Sequence, residues 1–328
     1  MQNRDILISG ASIAGPALAF WLRRYGFNPT IVERAPTLRE GGYAVDFRGE
    51  SMRALERMGL LGAIRGAQTN MGAVWHVDAA DQRLASMPAE LLSGEVEILR
   101  GDLARILYEE TRGETEYLFG DAIAAIEEDD AGVRVAFERG EPRRFGLVIG
   151  ADGLHSGVRT LTFGAEAQFT RHLGCYAAIF TTDNYLGLDH TGHYYSEPGR
   201  VAALYSARGN TEAKASFYFT APPLDYDQRD GARQRHILAE HYAEVGWEVP
   251  RLLRAMWDAP DFYFDAVSQI HLERWSRGRV ALLGDAAYCA SPLSGMGTGL
   301  AIVGAYILAG ELAAAGGTSG WRSRATRR

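Results

Sequence analysis

The apolar positions of this chain fall into short blocks separated by glycine-bearing turns. Residues 5–9, "DILIS", predict a short strand buried on both faces. "GASIAG", residues 10–15, predicts a tight turn. Pro16 then falls in the first turn of a helix, where its missing N–H costs nothing. That helix runs to about Tyr25, and Gly26 stops it. "PTIVER" predicts a second strand ending at Glu33, which completes a βαβ unit. Met52, Leu55 and Met58 repeat at helical spacing up to Gly59, and residues 100–110 predict another helix. Val133, Val135 and Phe137 alternate after "EDDAG", which predicts a hairpin. Residues 147–149 and 280–283 are two more buried strands, the second followed by a glycine-rich loop and an apolar helix over about 298–314.

Between about 170 and 269 the texture changes. Aromatic residues recur in strand-like stretches, with one helix near 230–245. The pattern predicts two units. One is discontinuous and comprises 1–72, 96–170 and 270–315; the other is sheet-rich and comprises 73–95 and 171–269. The last stretch, 316–328, is Gly/Ser-rich and then arginine-rich, and predicts a disordered tail.

Bulk properties narrow the function. The 328 residues suffice for two domains, and the net charge of −7 argues against a nucleic-acid partner. Lys214 is the one lysine, and the arginines are scattered. Two cysteines, Cys175 and Cys289, are too few for a disulfide framework and fit a reducing, cytoplasmic setting. Residues 6–19 could imitate a signal peptide, but Asp5, Pro16 and the following arginines fit a strand, turn and helix better. Glu311 interrupts the short apolar helix near the end, which predicts a core helix and no membrane partner. His190 and His193, beside Asp189, lack further ligands, so no metal site is expected.

The turn at 10–15 has two readings. "GASIA" is close to a nucleophile elbow with Ser12 as the attacking residue. An elbow, however, usually follows several strands, and Ser12 has one before it. The phosphate-turn reading accounts for three linked features. Gly10 makes the turn, Gly15 lets helix and strand approach, and Glu33 ends the second strand 18 residues on. Ser12 stands where the middle glycine would be. A helix N-terminus offers oriented N–H groups to a phosphate.

Two later motifs join it. Asp152-Gly153 follows the strand at 147–149, and Gly284-Asp285 follows the strand at 280–283. With these three fingerprints in order, the sequence resembles the single-component (class A) FAD-dependent aromatic hydroxylases, the class of 4-hydroxybenzoate hydroxylase. In particular it resembles the branch that includes tetracycline-modifying monooxygenases. The resemblance runs from Asp5 to about Leu312 and is weakest over 170–270.

The resemblance implies an α/β fold: a Rossmann-like FAD-binding domain of the glutathione-reductase type, with an inserted sheet-rich substrate domain. It implies that Gly10, Ser12, Ile13, Ala14 and Gly15 hold the FAD pyrophosphate. Glu33 would bind the adenosine ribose, with Arg34 beside it. Arg100 would reach the flavin and pyrophosphate, and Asp152 would serve FAD and NAD(P)H. Gly284 and Asp285 would meet the ribityl chain. Pro292 would lie near the reactive edge of the flavin, and Gly295, Gly297, Thr298 and Gly299 would face its pyrimidine ring. Asp46 and Arg48, in "GGYAVDFRG", are secondary candidates beside the ring. NADPH or NADH would reduce the flavin, and O2 would give a C4a-hydroperoxide that hydroxylates an aromatic or polyketide small molecule. The expected state is a monomer or weak homodimer.

Tyr176, Tyr194, Phe217, Phe219 and Phe262 are the aromatic residues expected to face the substrate. Tyr288 stands where the family often has histidine. The family usually continues for further helices, so the arginine-rich tail reads as a truncation or frameshift that bears on stability and substrate closure. The competing expectations are a non-catalytic or uncoupled flavin-binding protein of the same fold and, more remotely, a serine hydrolase using Ser12.

Overall fold

The computed structural model describes residues 4–39, 41–88 and 94–316. Six strands form a sheet in the order Ser276–Arg277, Val280–Leu282, Leu147–Gly150, Asp5–Ser9, Asn28–Glu33 and Glu116–Phe119. All neighbours are parallel except the Ser276–Arg277 edge. In the central Asp5–Ser9 strand, Ile6 and Ile8 enter one core with Leu18 and Leu22 of the first helix. Leu7 points to the other face and joins Val133, Val135 and Phe145 of a three-stranded antiparallel sheet. Burial on both faces is why this strand reads as an unbroken apolar run.

The first helix, Ala14–Arg24, includes Pro16 in its opening turn, and Gly26 follows it at φ +77°. It packs on the last helix, Gly297–Ala314, where the rings of Trp21 and Tyr306 lie 4.8 Å apart. Among the described residues this last helix is long and apolar enough to cross a membrane. Its Ala301, Ile302, Ala305, Ala309 and Leu312 are buried, while Ile307 stays exposed. Residues 317–328, most of the expected tail, lie outside the described residues.

A second sheet has seven strands, in the order Tyr263–Ile270, Thr170–Thr182, Glu212–Thr220, Arg200–Ala207, Gly192–Glu197, Val74–Val77 and Arg83–Met87. Helices Gly231–Tyr242 and Val249–Met256 cover one face, burying Phe180, Phe217, Phe219, Ile237, Leu252 and Met256 together. The opposite face meets the segments at 41–47 and 94–102. There Arg208, just past the Arg200–Ala207 strand, donates to Asp102 at 3.1 Å, and the Tyr205 hydroxyl accepts from the backbone N–H of Ala44.

The predicted α/β class and the longer elements match this architecture. The helix near 230–245 is Gly231–Tyr242, and a second helix, Val249–Met256, follows it. That second helix was legible: Val249, Leu252 and Met256 recur on one face, and Pro250 lies in its first turn. The strand pairs Ala44–Phe47 with Val96–Leu99 and Val74–Val77 with Arg83–Met87 carry no long periodic signal.

Candidate active site

The turn after the first strand is built by close backbone approach. Gly10 has φ +110°, and a Cβ there would sit 2.4 Å from the carbonyl oxygen of Ala151. A Cβ on Gly15 would sit 1.9 Å from the carbonyl oxygen of Gly10. Glu33 braces the same turn: its carboxylate accepts from the backbone N–H of Ala11 and of Ala35, both at 2.9 Å. Ile13 is the N-cap and Ala14 opens the helix, with no side-chain cap on its first amides. Arg100 Nη2 donates to Ser12 Oγ at 2.7 Å. A serine nucleophile needs a base at that position; Ser12 has a cation. Arg34 points outward, exposed and 3.8 Å from Glu138.

The two later motifs are tied to each other. Asp152 accepts from Val158 N–H at 3.1 Å, from Ser9 Oγ at 3.4 Å and from the Ser156 hydroxyl. Burial pushes its carboxyl above the usual range, and those hydrogen bonds oppose the shift. Arg159, fully buried, donates to the carbonyls of Leu154 at 2.6 Å and Ala286 at 3.0 Å. One guanidinium therefore fixes the loop after Asp152 to the short helix that Asp285 opens.

Gly284 precedes that helix at φ +64°. Burial raises the Asp285 carboxyl, against a bond from Cys289 and the charge of Arg100. The following loop holds Ser291 at φ +89°, Pro292, and Gly295 in the left-handed region. Gly297, Thr298 and Gly299 begin the last helix, again without a side-chain cap. A Cβ on Gly297 would lie 3.5 Å from Asp285, and one on Gly295 4.0 Å from Asp46. Asp46 accepts from Gly94 N–H at 2.8 Å and lies 3.8 Å from Arg48. Burial raises its pKa more than those neighbours lower it. The structure thus links Arg100 to Asp285, Asp285 to the turn at Gly297, and Asp46 to Arg48 and to the turn at Gly295.

These residues fit a dinucleotide. Gly10 and Gly15 leave no room for a side chain in the first turn, a guanidinium sits on that turn, and two helix N-termini present uncapped amides. Such a fold and site define an FAD-binding flavoprotein with a second sheet laid over the cofactor domain. A family model described as an FAD binding domain matches residues 3–325. An uncharacterized protein of Mycobacterium tuberculosis is 50% identical over 319 residues, covering 95% of this chain and 86% of its own length. A flavin-dependent monooxygenase of Legionella longbeachae is 40% identical, covering 96% of this chain and 82% of its own length. The crystal structure of tetracycline destructase Tet(55) superposes with a TM-score of 0.88 at 41% identity, covering 99% of this chain and 84% of that one. The chain belongs to the class A FAD-dependent hydroxylases and is an FAD-dependent oxidoreductase.

The expected substrate residues divide by sheet face. Tyr176, Phe217 and Phe219 are buried in the core under the two helices, and Phe262 packs on that core beside Phe180. Their side chains are used for packing, which corrects the expectation that they face the substrate. Tyr194 is the exception, on the opposite face 6.3 Å from His76. Tyr205 and Tyr218 share that face, and Tyr43 and Tyr263 stand 6.4 Å apart where it meets the segment at 41–47. Burial raises all five phenols; Tyr194, Tyr205, Tyr218 and Tyr263 each feel another of the five or Glu97, and Tyr43 feels Arg100 and Asp285. Strand alternation could have found Tyr205 and Tyr218, because each is offset by one from a core position.

His155 carries a titration of its own. Its Nδ1 lies 2.8 Å from Glu166 and its Nε2 3.0 Å from Asp265. Burial disfavours the charged ring, but the two carboxylates outweigh burial and hold His155 up to about 9. The ordinary histidine value is about 6.5. A raised folded-state pKa stabilises the protein fully below about pH 6.5, and that contribution is lost as pH rises through about 9. His155→Gln should therefore flatten the alkaline fall of Tm between those limits; equal slopes in scanning calorimetry would refute the ion pair.

Arg100→Ala is expected to weaken FAD binding about tenfold or more, because a charged hydrogen bond contributes about 1.5–3 kcal/mol. Flavin-fluorescence titration of the apoprotein measures this. An unchanged affinity would remove Arg100 from the cofactor contacts.

Proposed function

We propose that this chain is an NAD(P)H-dependent monooxygenase that hydroxylates a flat aromatic or polycyclic phenol or enol, of the tetracycline-like polyketide class. The observation that carries the reading is the tyrosine-lined sheet face, Tyr194, Tyr205, Tyr218 and Tyr263, with Tyr43 of the 41–47 segment against it, where Tyr43 and Tyr263 feel the charge of Arg100. Aromatic rings with polar tips bind flat, oxygen-rich molecules by stacking and hydrogen bonding. The likeness to tetracycline destructases supports the choice of substrate class.

In this reading the units at 1–72, 96–170 and 270–315 hold the cofactor, and those at 73–95 and 171–269 hold the substrate. Gly10, Ser12, Ile13, Ala14, Gly15 and Arg100 would bind the pyrophosphate, with Glu33 and Arg34 at the ribose. Asp152, Gly284 and Asp285 would hold the middle of the cofactor, and Pro292 with Asp46 and Arg48 would border the ring. FAD, when bound and reduced by NAD(P)H, would activate O2, one atom of which is transferred to the substrate and the other released as water. The uncapped amides of Gly297, Thr298 and Gly299 would stabilise negative charge on the ring. The second sheet would exclude water and orient the substrate.

The test is to follow tetracycline absorbance and NADPH consumption together with the purified yellow protein, then repeat with NADH. The expected result is NADPH oxidation that tetracycline stimulates and that converts it to an oxygenated product. Consumption that yields hydrogen peroxide alone, with tetracycline and with simple phenols, would favour an uncoupled flavin-binding protein instead.

A further inference from the structure

The strands Ala44–Phe47 and Val96–Leu99 form a two-stranded antiparallel sheet with two different faces. Val45, Phe47, Val96 and Ile98 are buried together in the core that holds the first helix. Alternation therefore turns Asp46 and Glu97 to the other face, where the register sets them directly opposite each other. That face meets the tyrosines of the seven-stranded sheet. The Tyr205 hydroxyl reaches the backbone N–H of Ala44, and the Tyr194 and Tyr205 phenols both feel the charge of Glu97.

The chain supplies no cation to Glu97. Its carboxylate accepts from the Thr69 hydroxyl, and among the described residues it forms no ion pair. Asp46 accepts from Gly94 N–H at 2.8 Å, and Arg48 lies 3.8 Å away with 55% of its side chain exposed. Burial raises both carboxyls, and the charge of Asp46 raises Glu97 further. On the facing sheet a second, separate observation points to a ligand. The hydroxyls of Tyr194 and Tyr218 have no hydrogen-bond partner among the described residues, although burial raises both phenols. Buried polar groups in native proteins are paired as a rule, so such atoms call for a partner from outside the chain. Between these two tyrosines the sheet carries Ala203 and Ser216, whose small side chains leave the rings standing above a low floor.

We propose that Glu97, with Asp46 beside it, selects a substrate that carries a protonated amine and holds that amine against the rings of Tyr194 and Tyr205. The inference rests on the substrate class proposed above and narrows it to cationic members. An ammonium group fits both walls. A carboxylate accepts its N–H in a charge-assisted hydrogen bond, which is stronger away from water. An aromatic face attracts its alkyl-substituted cation through the ring quadrupole. A metal ion fits poorly, because only two acidic side chains converge and no group of three or more ligating residues forms among the described residues. Glu97 is then a specificity residue that touches the substrate away from the reacting atoms.

Binding to the FAD-loaded enzyme without NADPH tests this apart from turnover. Calorimetric titration compares tetracycline, which carries a dimethylamino group, with its 4-dedimethylamino analogue, which lacks it. The wild-type protein should bind tetracycline about tenfold or more tightly than the analogue, the scale of one charged hydrogen bond. Glu97→Gln keeps the side-chain shape and can still accept from Thr69. It should weaken tetracycline about tenfold or more and leave the analogue nearly unchanged. Tyr194→Leu, which removes one ring, should show the same selective loss and replaces Glu97→Gln if that variant fails to hold FAD. Equal wild-type affinities for the two compounds, or equal losses for both in the variants, overturn the proposal. If neither compound binds the wild-type protein, the tetracycline-class reading fails instead, and phenyltrimethylammonium then decides the cation site by itself. Binding that Glu97→Gln or Tyr194→Leu weakens about tenfold upholds the site. No binding, or binding that the variants leave unchanged, overturns it.

Discussion

Gly15→Ala is expected to purify colourless, with FAD affinity reduced about a hundredfold or more. The added Cβ would stand 1.9 Å from the carbonyl oxygen of Gly10 and 3.3 Å from the Ile8 side chain. The first obstacle is backbone, so no rotamer change relieves it. Overpacking of this kind costs about 1–3 kcal/mol or more, and each 1.4 kcal/mol is about tenfold in affinity. The strain falls on the turn whose amides are to meet the pyrophosphate, so it appears in cofactor binding as well as in Tm. Visible absorbance of the purified protein and calorimetric titration of the apoprotein measure it. Gly62→Ala is the control, since nothing lies within 4 Å of a Cβ there. A yellow Gly15→Ala protein of normal affinity would refute the phosphate-turn assignment.

The second large effect separates two adjacent positions. Phe217 is fully buried, stacked on Phe180 at 5.8 Å and edge-on to Tyr242 at 5.0 Å. Phe217→Ala should cost about 3–5 kcal/mol of stability, the usual range for removing a buried aromatic ring. Tyr218, one residue on, points to the opposite face. Tyr218→Phe should leave Tm nearly unchanged and raise KM for tetracycline. Thermal unfolding and steady-state kinetics on both variants decide the matter. A large KM effect from Phe217→Leu at normal stability would place the substrate on the helix side of the sheet and reverse the assignment.

The legible parts of this protein were those whose chemistry is local. Gly10, Gly15 and Glu33 signalled a tight strand-to-helix turn because the turn, the helix start and the strand tip lie within one βαβ unit. Asp152-Gly153 and Gly284-Asp285 were legible as pairs after buried strands, and the last helix by its apolar run up to Glu311. The aromatic strands were legible as strands. The face each aromatic would use was not, since alternation gives two sets and does not say which set the helices cover.

Other features depended on residues far apart in the chain. Arg100 reaches Ser12 across 88 positions, and His155 reaches Asp265 across 110. The pair at 74–87 joins the distant sheet through hydrogen bonds to the Gly192–Glu197 strand. No short-range pattern encodes these pairings, because they are set by which buried surfaces close against one another.

The sequence by itself determined the class of the fold, the tight glycine turn that opens it and the flavoprotein family. These rest on backbone conformations and close approaches that only particular residues at particular spacings permit. Only the tertiary structure decided which tyrosines share the sheet face opposite the two helices, that Ser12 pairs with a guanidinium rather than a base, and that His155 lies between two carboxylates. Those are properties of surfaces brought together by burial of the two cores, and they exist only after the chain has closed.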